Sequence, residues 1–176
     1  MGNNTPTECM EEDSFENEKG VWKLSVDGSS CVSKSGVGLV LTSPDGWTLE
    51  YALRIGFKAT NNEAEWEAVI VGLTIVKRFE VQKLEASSDS QFVVGLINGE
   101  YEAREDTMAK YLAHMQSLKS AFQVCRILKV PIIENARAYL LSKLATAGEL
   151  EKDQTVLVDY LDRPTISEAE VMDIDI

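Results

Sequence analysis

Hydrophobic and polar positions alternate along the first half of the chain in a way that predicts β-strands. Residues 21–28 place apolar side chains opposite small or polar ones with a period of two, which is typical of a strand buried on one face. Residues 36–42 and 47–55 are predicted to be strands as well, separated by a Ser-Pro-Asp-Gly turn at 43–46. The three segments therefore predict an antiparallel meander.

The second half of the chain shows apolar residues at helical spacing, interrupted by short strand-like segments. The first helix has Asn61 as its expected N-cap, with acids in the first turn that the helix dipole favours. The predicted helices cover residues 61–79, 90–98, 104–122 and 135–147, and the predicted strands cover residues 83–88 and 124–130. This order indicates an α/β fold with a mixed five-stranded sheet, three antiparallel strands followed by two parallel ones, flanked by helices.

The distribution of charge divides the chain into a neutral middle and two acidic ends. The 176 residues carry a net charge of −12, but residues 20–148 contain 14 basic and 14 acidic side chains. We therefore expect one globular domain over 20–148, a disordered acidic leader over 1–19 and an acidic linker or tail over 149–176. Metal ions bound to acids of the neutral domain would leave a mildly cationic surface, so a polyanionic substrate remains possible.

The composition argues against zinc sites and sites built from several histidines, and it contains no signal for secretion or membrane insertion. The three cysteines, Cys9, Cys31 and Cys125, are widely spaced and form no CxxC pair, which argues for a reducing compartment and against a structural zinc site. His114 is the single histidine, so a metal site built from several histidines cannot form. No targeting signal or run of about 20 apolar residues is present, and we expect an intracellular protein, cytoplasmic or nuclear, without membrane partners.

Three acids occupy positions at which they could converge. Asp27 and Asp89 end predicted strands, and Glu65 lies in the first turn of the helix between them. Taken singly, they have ordinary explanations as a turn residue, a helix N-cap and a helix-dipole acid. Together they would repel one another unless their pKa values rise or divalent cations neutralise them. Oxygen ligands without Cys or His favour Mg²⁺ or Mn²⁺, and two such ions about 3.5–4 Å apart can promote phosphodiester hydrolysis.

The three segments that carry these acids resemble the motifs of type 1 ribonuclease H. They read SVDGS at 25–29, TNNEAE at 60–65 and SDSQFV at 88–93. The segment NNEAEWEA, which starts at residue 61, is most similar to the corresponding segment in the RNase H domains of plant gypsy-type LTR retrotransposon polyproteins. The resemblance spans about residues 20–148. It implies an RNase H-like fold and a metal-dependent endoribonuclease that cleaves the RNA strand of RNA–DNA hybrids.

The resemblance also implies roles for individual residues. Asp27 would bridge two Mg²⁺ ions, with Mn²⁺ as a substitute, while Glu65 and Asp89 would complete the ion on the leaving-group side. Glu63 and Glu67 are expected to be solvated acids of the helix. Asn and Gln side chains would recognise 2′-hydroxyl groups by shape rather than sequence. The family positions that contact the hybrid correspond here to Gly28, Ser29, Lys58, Thr60, Asn61, Asn62 and Gln91.

One departure from the family pattern concerns the metal site. The family carries a fourth carboxylate in its last helix, in a pattern like ENxxADxL, and this chain reads ENARAYLL from residue 134, with Tyr139 in place of the acid. A neutral phenol with a pKa of about 10 is a poor ligand for Mg²⁺. Glu134 lies five residues earlier, on a different side of the helix. The resemblance therefore implies a weakened nuclease.

Two other functions remain open at this stage. The domain could be catalytically silent and kept as a nucleic-acid- or protein-binding module, or it could be an inactive scaffold between polymerase and integrase regions. Polyprotein partners would be the reverse transcriptase and integrase regions of the same element. A scaffold would bind no Mg²⁺ at Asp27, Glu65 and Asp89, whereas a disarmed nuclease would recover cleavage when an acid replaces Tyr139.

Overall fold

A single mixed sheet runs through the computed structural model, which describes residues 19–32, 34–147 and 157–167. The order of its strands is β5-β4-β1-β2-β3-β6. β1, β2 and β3 are antiparallel, β4 and β5 run parallel to β1, and β6 runs parallel to β3. The strands are β1 (Val21–Ser30), β2 (Ser35–Thr42), β3 (Thr48–Ile55), β4 (Lys83–Ser88), β5 (Val124–Lys129) and β6 (Leu157–Leu161).

Within the described residues, four helices flank the sheet, and this arrangement confirms the predicted α/β layers. A short 3₁₀ helix, Ile132–Asn135, precedes the last one. None of the helices in the described ranges is both long and apolar enough to cross a membrane. Residues 1–18 of the predicted leader and most of the predicted tail lie outside the described residues. The helices are α1 (Asn61–Arg78), α2 (Gln91–Ile97), α3 (Asp106–Lys119) and α4 (Ala136–Ala147).

The N-cap of α1 is Thr60, so the prediction of Asn61 was wrong by one residue. The Thr60 hydroxyl accepts a hydrogen bond from the Glu63 N–H (3.1 Å), and the Glu63 carboxylate accepts one from the Thr60 N–H (2.9 Å). This reciprocal capping box requires Thr and Glu three residues apart, a spacing that Asn61 cannot supply. Asn61 is instead the first residue of the helix.

The main core lies between α1 and one face of the sheet. Gly72 permits this close packing, because a Cβ atom there would lie 2.9 Å from a Leu24 methyl group. On its other side α1 packs against α3, where Trp66 stacks on Tyr111 with ring centroids 5.8 Å apart. α1 is therefore covered from two directions, and a single apolar stripe does not describe its burial.

The opposite face of the sheet is covered by α4 at very short range. A Cβ atom at Gly38 would lie 2.1 Å from the Ala138 carbonyl oxygen, and one at Gly36 would lie 2.6 Å from the Ser142 carbonyl oxygen. A smaller apolar cluster that includes Ala52 and Leu141 fills the contact beside them. The two glycines of β2 thus let the backbone of α4 lie directly on the sheet.

The sixth strand was not predicted, because the segment that contains it was assigned to the acidic tail. β6 adds to the free edge of β3, with Tyr51 opposite Leu157 and Ile55 opposite Leu161. Leu161 is buried in the main core, and Ile166 packs against it. A five-residue strand flanked by acids carries little local signal, and its conformation depends on the edge that it pairs with.

Glu67 is completely buried, which corrects its expected role as a solvated helix acid. Its carboxylate accepts a hydrogen bond from the Tyr111 hydroxyl (2.6 Å) and lies 3.2 Å from the backbone N–H of Thr165. The side of α1 that carries Glu67 is covered by α3 and by the chain that follows β6, and both supply donors. Glu67 therefore joins α1, α3 and the C-terminal segment.

We expect the described C-terminal segment to contribute to stability. Ending the chain at Gly148 removes β6, exposes the edge of β3 and deprives the buried Glu67 carboxylate of the Thr165 donor. A hydrogen bond to a buried charged group contributes about 1.5–3 kcal/mol, so with the lost apolar burial the melting temperature should fall by about 5–10 °C. A chain ending at Ser167 is the control and should melt like the full chain. Equal melting temperatures for all three chains would contradict this role.

Candidate active site

Asp27, Glu65 and Asp89 converge at one end of the sheet. One carboxylate oxygen of each lies within 4.8 Å of the others. The register explains the meeting of the two aspartates: Ser25 of β1 pairs with Ser87 of β4, and each aspartate lies two residues further along its own chain. Residues two apart project from the same face of a strand, so both carboxylates reach the same edge.

Glu65 is brought to this edge by the close approach of α1 to β1. The buried N–H of Gly28 donates a hydrogen bond to Glu65 Oε1 (3.0 Å). A Cβ atom at Gly28 would lie 2.1 Å from the Ala64 carbonyl oxygen, which no rotation of a side chain can relieve. Gly28, predicted as a substrate contact, thus also positions the helix that carries Glu65.

α4 contacts Asp27 from the face of the sheet opposite to α1. The Asp27 side chain is 3% exposed, and its Oδ2 accepts a hydrogen bond from the buried Ser142 hydroxyl (2.6 Å). Asn135, at the end of the 3₁₀ helix, donates from Nδ2 to the Val26 carbonyl oxygen (2.7 Å). The sequence analysis missed Ser142 and Asn135. Their spacing could have identified them, because two polar residues seven positions apart lie on the same side of a helix.

Burial raises the pKa values of two of the three carboxyl groups. Desolvation is the main cause for Asp27, whose pKa rises to about 7 despite the hydrogen bond from Ser142, and the nearby Asp89 raises it further. Desolvation and then the charge of Asp27 raise the pKa of Glu65 to about 8. The site therefore retains protons near neutral pH, and a divalent cation would displace them. Three clustered carboxylates are a suitable donor set for a hard cation such as Mg²⁺.

Tyr139 lies on the outer side of α4 and is 41% exposed. The Lys143 ammonium group lies 5.3 Å from the centroid of its ring, within the range of a cation–π contact. Glu134, in the preceding 3₁₀ helix, is exposed and is not part of the acidic cluster. Within the described residues, the cluster therefore contains three acids and no fourth one from α4.

Most of the predicted substrate contacts lie on the surface around the acids. Lys58 and Thr60 line a cleft of about 930 Å³, which Lys34 and Tyr160 also line. Ser29 is the exception among the side chains, because it is buried and its hydroxyl has no protein partner. Two further predicted contacts, Asn61 and Asn62, are exposed in the first turn of α1, and Gln91 is exposed in the first turn of α2.

Comparison with known proteins identifies the family. A family model described as "Reverse transcriptase-like" matches residues 25–145 of this chain. The chain belongs to this family of RNase H-like domains. It is similar to a ribonuclease HI from Halobacterium salinarum, with 33% identity over 110 residues, which cover 62% of this chain and 55% of the relative. The match thus spans about half the length of that protein.

Solved structures of similar proteins confirm the RNase H fold. The RNase H1 of Halobacterium salinarum has a TM-score of 0.69 at 30% identity and is matched over 73% of this chain and 99% of its own. The N-terminal RNase H domain of a Mycobacterium tuberculosis protein has a TM-score of 0.67 at 28% identity, over 72% and 98%. LC11-RNase H1 in complex with an RNA/DNA hybrid has a TM-score of 0.66 at 28% identity, over 73% and 99%.

The raised pKa values of Asp27 and Glu65 predict how the stability of the metal-free protein depends on pH. Between about pH 4 and 8 these two groups bind more protons in the folded than in the unfolded state, so their contribution to stability falls as the pH rises through this window. In the presence of a chelator, Asp27→Asn should melt several degrees higher than the parent chain at pH 8 and show a flatter pH profile. The exposed Glu102→Gln is the matched control. Parallel profiles for all three proteins would contradict the prediction.

Proposed function

We propose that this chain is a divalent-metal-dependent endoribonuclease that cleaves the RNA strand of RNA–DNA hybrids. The observation that carries the proposal is the convergence of Asp27, Glu65 and Asp89 within 4.8 Å at the edge of an RNase H fold. The similarity to an RNase H1 solved in complex with an RNA/DNA hybrid supports the same substrate class here. The products would be a 3′-hydroxyl and a 5′-phosphate.

The three carboxylates would hold Mg²⁺, with Mn²⁺ as a substitute. When bound, a divalent cation supplies Lewis-acid polarisation of the phosphate and lowers the pKa of a coordinated water. The protein contributes the positions of the ligands: the Gly28 N–H orients Glu65, and the Ser142 hydroxyl orients Asp27. Hydrogen bonds of this kind hold the ligand side chains in position.

The exposed residues around the acids would bind the hybrid. Lys58 is an exposed cation beside the cleft and suits a backbone phosphate, while the amides of Asn61, Asn62 and Gln91 suit 2′-hydroxyl groups and base edges of an A-like duplex. The 2′-hydroxyl is the group that distinguishes the RNA strand from DNA. Gln91 Nε2 donates to the Tyr101 hydroxyl (3.1 Å), which holds its amide at the surface.

The proposed setting of the reaction is reverse transcription. The amino-acid sequence of the motifs supports an origin in a plant gypsy-type retrotransposon polyprotein, where the domain would act beside reverse transcriptase and integrase regions. Because Tyr139 occupies the position of an acid, we propose weak activity in the isolated chain. A second candidate function is a silent module that binds nucleic acid or protein. It is favoured by the position of Tyr139 on the outer side of α4, where the Lys143 ammonium group lies over its ring.

Cleavage of a labelled RNA–DNA hybrid in Mg²⁺ or Mn²⁺ tests the proposed activity. The parent chain should cleave slowly, and Asp27→Asn should lower the rate by about 100-fold or more, since a catalytic cation contributes several kcal/mol to transition-state stabilisation. Tyr139→Asp should accelerate cleavage. Tyr139→Asn is its control, because asparagine has the size of aspartate but no charge.

The other outcomes separate the alternatives. A silent parent chain that Tyr139→Asp activates would identify a nuclease disarmed at one ligand and favour the binding module. If the parent chain and Tyr139→Asp are both silent while their melting temperatures stay normal, the catalytic proposal is wrong. Cleavage that persists in Asp27→Asn would assign the activity to a contaminant.

A further inference from the structure

The side of the acidic site formed by α4 differs chemically from the side formed by β1, β4 and α1. The latter contributes the three carboxylates of Asp27, Glu65 and Asp89. Nearest to Asp27, α4 contributes the Ser142 hydroxyl, whose oxygen lies 2.6 Å from Asp27 Oδ2 and 2.8 Å from the Tyr139 carbonyl oxygen. The single hydroxyl proton of Ser142 faces two acceptors, and one of them is the carboxylate oxygen on the side of α4.

The Asp27 carboxylate is therefore hydrogen-bonded on its α4 side by a donor that carries no negative charge. A carboxylate oxygen has two lone pairs, so a cation can share Asp27 Oδ2 with this hydrogen bond, but the Ser142 hydroxyl adds no charge that would balance the cation. Ser142 is completely buried against β2. The carbonyl oxygen of Ser142 also lies in the tight contact with Gly36, which fixes this turn of α4 on the sheet.

Two other polar groups of α4, those of Tyr139 and Lys143, are unsuitable as ligands for a second cation. Tyr139 is a neutral phenol on the exposed side of the helix, and the Lys143 ammonium group lies 5.3 Å from its ring centroid. Lys143 follows Ser142 directly in the chain, so a positive charge lies on the same turn of α4 as the hydroxyl that hydrogen-bonds Asp27. A second dication would meet this charge without a carboxylate from α4 to offset it.

The charge of the site fits one dication. Three carboxylates carry one negative charge more than a single Mg²⁺ or Mn²⁺ needs, whereas two such ions would leave the cluster with a net positive charge. Exposed Glu134, two residues before the start of α4, lies outside the cluster. The donor set therefore fits the first of the two ions implied by the family resemblance and does not fit the second.

We propose that this site binds one divalent cation, held by Asp27, Glu65 and Asp89, and that α4, which carries Tyr139 and Lys143 and contributes no acid to the cluster, does not hold a second one. The inference rests on the proposed metal dependence of the same site, but it concerns the number of ions and not the reaction. It places the defect of the site on the side of α4, whereas the proposed hybrid-binding residues belong to β1, to the segment that leads into α1, to the first turn of α1 and to α2.

The test is the number of Mn²⁺ ions bound per chain, measured without substrate. Metal-free full-length protein is titrated with Mn²⁺ by calorimetry, and free Mn²⁺ is counted in parallel by its electron paramagnetic resonance signal. The parent chain should bind one ion, Asp27→Asn none, and Tyr139→Asp two. Tyr139→Asn and Glu102→Gln, which add no ligand and remove none from the cluster, should each bind one.

Several results would overturn the proposal. Two ions in the parent chain, both lost in Asp27→Asn, would show that α4 does not exclude the second ion. A stoichiometry of one in Tyr139→Asp and in Tyr139→Asp combined with Lys143→Ala would show that α4 does not control the count. No bound ion at millimolar Mn²⁺ would remove the metal site altogether. Melting temperatures verify that each variant is folded, and exposed Tyr139 should tolerate these changes.

The ion count and the cleavage assay can fail separately. One bound ion in a chain that cleaves no hybrid, even as Tyr139→Asp, would leave the inference standing and reject the proposed nuclease. Two bound ions in a chain that cleaves hybrid would reject the inference and keep the nuclease. The two experiments therefore give distinguishable results.

Discussion

The contact between Gly28 of β1 and the start of α1 is the constraint on which the candidate site depends. With no side chain at Gly28, the Ala64 carbonyl can approach the strand, and the Gly28 N–H reaches Glu65. A larger residue would push α1 outward and move Glu65 away from Asp27. The same helix is covered by the sheet and by α3, so its position at one end is tied to the packing of the whole core.

Two buried acids of α1, Glu65 and Glu67, lie two residues apart and have different roles. Glu67 is completely buried and meets donors from Tyr111 and Thr165, so its hydrogen bonding is provided within the protein. Glu65 receives one backbone hydrogen bond and faces two further carboxylates, which raise its pKa together with desolvation. A site built of such repelling groups is stabilised by a cation, whereas Glu67 stabilises the junction between helices and the C-terminal segment.

The sequence predicted most of the fold because its signals are local. Strand alternation and helical spacing placed the elements of residues 21–147 closely, and acids at strand ends predicted the convergence that the register of β1 and β4 produces. β6 and the burial of Glu67 were missed because both depend on contacts between distant residues: β6 pairs with β3, and Glu67 meets Tyr111 and Thr165, which lie 44 and 98 positions away. The role of Ser142 was missed for the same reason, since only the packing of α4 on β2 brings it to Asp27.

The packing of α4 also explains why the fold can carry Tyr139 at all. The residues that hold this helix on the sheet, among them Ala138, Leu141 and Ser142, lie on its inner side, against the glycines of β2. Tyr139 lies on the outer side, where a change of side chain leaves those contacts intact. The packing of α4 therefore does not depend on the side chain at position 139. In the proposed nuclease, an acid at this position would alter the charge that the site can balance without altering the geometry of Asp27, Glu65 and Asp89.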